Sequence, residues 1–157
     1  MILMKIDGIE GTSNVKDHEG WIQLETLDWS VGRNISMDSG QAKDRTTDLV
    51  HAQEIVVTKY MDSTSAKLFE AAGGTEGKAV DIHFLAGAGK EAPTHSEWVL
   101  ENALISNYAI SGSTDMAMET ISLNFTKIEL SSIEKDTADS AGSPYKVTFN
   151  RETGVLE

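Results

Sequence analysis

The chain of 157 residues has no cysteine, which removes a disulfide framework, thiolate zinc sites and cysteine nucleophiles together. Its two prolines leave no room for a proline-rich linker or a polyproline ligand. Positive charge is scarce. Thirteen Lys and Arg stand against 25 Asp and Glu, a formal charge of −12. Without a basic run to release counterions from phosphate, nucleic acid is not an expected partner, and neither is an anionic membrane surface. Long apolar runs are also missing, so membrane insertion is not expected. The opening MILMKIDGIEG breaks at Lys5 and Asp7, too early for the apolar region of a secretory signal. Export, if it occurs, is expected to proceed without a cleaved signal peptide.

What remains is a chain with 39% hydrophobic and 24% charged residues, values of a folded protein rather than a disordered one. At this length a single domain over 1–157 is expected, with no internal repeat and no linker. Met1–Asp7 reads as a strand closed by the turn pair Asp7-Gly8. Gly11–Gly20 is polar and turn-rich. Trp21–Trp29 alternates, with Ile22, Leu24 and Thr26 on one face and Gln23, Glu25 and Leu27 on the other. Further strands are expected at Leu49–Met61, Lys78–Ala86, Glu97–Ser111, Met118–Leu130 and Tyr145–Asn150. Ser63-Thr64-Ser65 offers capping oxygens, AKLFEAA contains good helix formers, and Gly73-Gly74 ends the run. That predicts one short helix, with Leu68, Phe69 and Ala72 on its buried stripe. Many strands and one helix argue for a sandwich or barrel.

Catalytic motifs fail one by one. His18, His51, His83 and His95 stand at no metal-ligand spacing, so no metal is expected. Gly87–Lys90, GAGK, lacks the first glycine of a phosphate loop and carries Glu91 where Ser or Thr is required, so nucleotide binding is not expected and the stretch reads as a turn. Gly112-Ser113 lacks the flanks of a nucleophile elbow. Asp7 and Glu10 could do acid–base work only if the fold made them converge, and a solvated face is the simpler reading. No catalytic residue and no cofactor is assigned.

Read in order, the segments resemble the haemolysin-coregulated protein (Hcp) family, the tube subunits of type VI secretion. Met4–Gly11, MKIDGIEG, is similar to the family's opening I-K-I-D-G-I-x-G. The Ile22–Trp29 strand resembles its aromatic-containing second strand. Glu54–Lys59 followed by Asp62–Phe69 resembles its I-x-I-T-K-x-x-D-x-x-S-P-x-L-F run, with Ala66 in place of the proline; alanine is the best helix former, so the substitution leaves the helix intact. Ala103–Tyr108 and Glu119–Phe125, continuing to Lys127-Ile128, resemble its late strands.

The resemblance implies a mainly β fold, a barrel-like pair of antiparallel sheets with one short α-helix, similar to phage tail-tube proteins. It implies a homo-hexameric ring, rings stacked into a tube within a contractile sheath, a spike protein at the tip, and effector proteins carried to a target cell. Localisation would be cytoplasmic before assembly and secreted afterwards. Two alternatives stay open, a tube protein of another contractile injection system and a monomeric β-barrel that binds a small ligand. The stretch Arg33–Thr47 is long, polar and without periodicity, and its Asp38, Lys43, Asp44 and Arg45 supply both signs of charge. Loops of this kind are usually functional, and charge complementarity suits head-to-tail pairing. The expectation is that these four residues form a ring-to-ring contact; the resemblance implies the same.

Overall fold

The computed structural model describes residues 1–37, 45–47, 49–133 and 144–157. Strand β1 (Ile2–Ile6) is followed by a small hairpin, β2 (Asn14–Val15) and β3 (His18–Glu19), within Gly11–Gly20, where the sequence predicts only turns. The stretch Trp21–Trp29 is not one strand. It splits at Glu25 into β4 (Ile22–Leu24), which pairs with β1, and β5 (Thr26–Asp28), which pairs with a strand of the opposite sheet. The change of sheet also shifts the phase of burial. Ile22 and Leu24 are buried, Thr26 is exposed, and Leu27 and Trp29 turn inward instead.

Beyond this corner lie β6 (Val31–Gly32), β7 (Ile35–Met37), β8 (Arg45–Thr47), β9 (His51–Ala52) and β10 (Ile55–Tyr60). The expected strand Leu49–Met61 is thus interrupted, at Gln53-Glu54. Helix α1 (Ser65–Ala72) occupies the predicted segment. Then come β11 (Lys78–Leu85), the 19-residue β12 (Thr94–Gly112), β13 (Ala117–Asn124), β14 (Lys127–Ser132), β15 (Tyr145–Asn150) and β16 (Val155–Leu156). The expected Met118–Leu130 strand divides at Phe125-Thr126, because β13 and β14 pair with different halves of β12.

The fold is mainly β with antiparallel pairing throughout. One sheet runs β16-β15-β14-β12-β11-β1-β4, and the other joins β5, β10, β13 and the second half of β12. The long β12 serves both sheets. It bends where Asn102 takes a positive φ of 51° and where the register slips between Ile105 and Asn107; such bulges let a strand turn a corner. With β12 at one corner and the β4–β5 bend at another, the arrangement is barrel-like, while among the described residues β4 and β5 each pair on one side only.

Both sheets point their alternate apolar residues at one core. The row Ile22–Met4–Ile82–Trp98–Leu130 crosses five strands of the first sheet. Ile55, Val57, Ile121 and Leu123 face it from the second, and Phe125, Phe149 and Leu68 of the helix fill the space between. The helix buries Ser65 and Leu68, spaced i, i+3, but not Phe69, which is 70% exposed. Adjacent helical residues point about 100° apart, and with Leu68 centred on the core Phe69 falls at the edge of the stripe, against the Tyr108 ring.

Candidate functional site

The described residues that carry polar chemistry gather at three places, and none was assigned from the sequence. The first lies where α1 meets the second sheet. Along β10 the inward positions are Ile55, Val57 and Lys59; along β13 they are Leu123, Ile121 and Glu119. Lys59 and Glu119 are direct partners across the ladder, and both are buried, at 1% and 0% exposure. The Lys59 ammonium donates to Glu119 Oε2 at 2.8 Å, to Asp62 Oδ1 at 3.0 Å and to the Tyr60 carbonyl at 2.7 Å. Its three protons are all used. A saturated ammonium has no lone pair for a substrate, so the arrangement is a structural brace, not a base or nucleophile.

The Tyr108 hydroxyl donates to Glu119 Oε1. Asp62 Oδ1 also accepts from the Thr64 amide at 2.8 Å and the Thr64 hydroxyl at 2.5 Å, while the Asp62 amide donates to Ser65 Oγ at 3.0 Å. The network therefore ties three strands to the first turn of α1. Burial pushes the Asp62 carboxyl up, but hydrogen bonds from Thr64 and Lys59 outweigh it and hold the group below its usual value. Tyr108 is pushed up to about 12 by burial and by the Glu119 carboxylate that it touches. A phenol kept neutral in the fold but ionised in the unfolded chain costs stability as pH rises above the ordinary value near 10. Wild-type stability should thus fall between pH 10 and 12, and Tyr108→Phe should flatten that fall, as read by urea titrations across the range.

A second brace stands at the other end of β10. Glu54 accepts from Asn124 Nδ2 at 2.7 Å and from Ser106 Oγ at 2.7 Å, the residue at the β12 register slip. Those two bonds hold its carboxyl below its usual value. Glu54, Lys59, Asp62, Ser106, Tyr108, Glu119 and Asn124 all fall within the segments on which the family resemblance was drawn.

The third place is the outer face of the first sheet, where the β2–β3 hairpin lies over β1 and β11. His18 Nε2 and His83 Nδ1 are 2.8 Å apart, and Trp21 packs against both rings. His51 and His95 are exposed. Among the described residues, no group of three or more His, Cys, Asp or Glu is arranged to hold a metal ion.

Asp38, Lys43 and Asp44 lie outside the described residues. Arg45 opens β8, and Met37 of β7 pairs with it, so the two ends of that segment run side by side. GAGK lies in the connection between β11 and β12. No helix among the described residues is long and apolar enough to cross a membrane.

The same fold recurs in solved secretion proteins. A structure titled as a type six secretion system protein superposes with a TM-score of 0.86 at 24% identity, covering 99% of this chain and 98% of that one. Hcp1 from Salmonella typhimurium superposes with a TM-score of 0.77 at 19% identity, covering 99% and 97%. A chain of the anti-feeding prophage baseplate superposes with a TM-score of 0.53 at 12% identity, covering 82% and 89%. No curated protein matches the sequence. The class is that of structural components of type VI secretion, supported by a family model described as "Type VI secretion system effector, Hcp" that matches residues 3–131. The chain belongs to the Hcp family, the secreted tube proteins of that system.

Proposed function

We propose that this chain closes into a six-membered ring, that rings stack into the inner tube of a type VI secretion system, and that the assembly is exported with or around effector proteins. The observation that carries the reading is the family match over residues 3–131. Surface composition supports it. Despite a net charge of −12, Leu49, Phe69, Tyr145 and Leu156 are all more than half exposed, side chains that contacts between copies would cover. Among the described residues, strands β4, β5 and β16 each pair on one side only, and ring closure would cover such edges. The space between the sheets is filled by Phe125, Phe149 and the apolar rows, which favours a tube subunit over a barrel built around a small ligand. Contractile sheath subunits, a tip spike protein and effectors are the partners this role requires, with no catalytic step, metal or cofactor.

The segment Arg33–Thr47, with Asp38, Lys43, Asp44 and Arg45 as its charged residues, is proposed as the contact between rings. A hexamer would carry about −72 from its formal charges, so stacked rings repel unless local pairing of opposite charges offsets it. Native mass spectrometry should give a hexamer mass, unchanged by chelator. A protein that stays monomeric at high concentration would overturn the ring. Replacing residues 38–47 with a short Gly/Ser connector should leave rings intact by sedimentation and abolish tubes and secretion. Normal stacking by that variant would place the contact elsewhere.

A further inference from the structure

The hairpin β2–β3 is held on the sheet by a contact whose existence depends on a proton. His18 is only 6% exposed. Its Nδ1 faces the Lys16 carbonyl at 3.2 Å, and a carbonyl can only accept, so that nitrogen carries the hydrogen. His18 Nε2 is then a bare acceptor, and the bond of 2.8 Å is donated by His83 Nδ1. Beneath and beside the pair sits a small apolar cluster separate from the main core, Leu3, Val15 and Leu85 with Trp21 and Ala92 against it. Few other ties hold the hairpin down, notably the Lys16 amide to the Lys90 carbonyl at 3.0 Å.

We propose that the His18–His83 pair is an acid-operated latch, and that double protonation lifts the hairpin 12–21 and uncovers Leu3, Leu85 and Trp21. A first proton has a place to go, because His83 Nε2 can take it while Nδ1 still donates to His18. A second proton must go to His18 Nε2, which ends the bond and leaves two cations facing one another. The surroundings decide where this happens. Lys5 on β1, Lys16, Asp17 and Glu19 on the hairpin, Asp81 on β11, Glu97 on β12, and Lys90 and Glu91 in the β11–β12 connection are charged groups on the elements packed around the pair. Burial is the largest influence on His83 and holds it below 6.5, with the His18 ring acting the same way, against the opposing pull of Glu97 and Asp81. An imidazole that resists protonation only when the hairpin is closed makes closure lose stability as pH falls below about 6.5, down to the closed-state value.

Hydrogen exchange of the full-length protein, corrected for the intrinsic effect of pH, tests the latch. Between pH 7 and 5, exchange in residues 12–21 should rise several-fold, the direction that proton uptake on opening requires. Strands β10 and β13 should not change. His83→Gln should remove most of that dependence. Flat exchange in the wild type, or the same pH slope in the variant, would overturn the proposal. Should the variant's hairpin be open at every pH, imidazole nitrogen NMR of the wild type decides. Two distinct protonation steps, the second accompanied by loss of hairpin protection, support the latch, and two independent steps with protection retained refute it.

Discussion

Glu119→Leu is expected to destabilise the protein by about 3–5 kcal/mol, the cost of breaking a buried ion pair by removing one partner. The loss does not come from the pair's attraction alone. Lys59 is 1% exposed, so its ammonium would keep the full desolvation penalty with only Asp62 and the Tyr60 carbonyl left to offset it. Tyr108 would lose the carboxylate that accepts its proton. Lys59→Met should cost a similar amount for the mirrored reason, since Glu119 would be left charged and buried. The informative variant is the double one. Replacing both ions by apolar side chains of similar volume is often neutral, so Lys59→Met with Glu119→Leu should recover to within about 2 kcal/mol of the wild type in urea unfolding. If the two losses simply add, or if either single change costs less than about 1 kcal/mol, the brace is not what orders this corner.

The consequence reaches the surface. The brace fixes the first turn of α1 through Asp62, Thr64 and Ser65, and α1 presents Phe69 to solvent beside Tyr108, with ring centroids 6.0 Å apart. On the proposed ring, single variants of the brace should therefore lower the hexamer fraction in native mass spectrometry more than their residual stability accounts for, because they loosen the platform beneath an exposed aromatic.

Such a brace is poorly legible in a sequence. Its members are 60 positions apart, and only parity marks them. Lys59 continues the inward series of Ile55 and Val57, and Glu119 that of Leu123 and Ile121. A charged residue on the apolar parity of a strand needs a partner on the same parity of a neighbour. The helix and the strand Tyr145–Asn150 were legible because capping residues and clean alternation are local signals. The corner at Glu25 was not, because Trp21–Trp29 alternates almost without fault while the chain changes sheets. Phe69 misled through composition alone, since apolar identity outweighed its angular position next to Leu68. The hairpin at Asn14–Glu19 has two strands of two residues each, too short for any period, and its anchor His83 is 65 positions away.

The opening motif, by contrast, holds two glycines whose roles only the fold separates, and they make opposite predictions from what backbone angles suggest. Gly8 has a positive φ of 82°, yet a Cβ there would meet nothing nearer than Lys78 Nζ at 3.5 Å. Gly8→Ala should cost about 1–2 kcal/mol, the strain of a left-handed alanine. Gly11 has no such angle, but a Cβ there would lie 2.2 Å from the Trp21 carbonyl oxygen and 2.6 Å from the Ile22 amide nitrogen. Those are backbone atoms at the start of β4, and Gly11 itself donates to the Gly20 carbonyl, so the neighbouring chain cannot rotate away as a side chain would. Gly11→Ala must push the base of the hairpin off the sheet, and overpacking of a rigid neighbour costs about 3 kcal/mol or more. The expected order in urea unfolding is Gly11→Ala well below Gly8→Ala, with amide protection lost first across residues 12–21. Equal losses, or a milder effect at Gly11, would mean that the crossing of Gly11 over Trp21 is not a constraint and that the motif is kept by its turn alone.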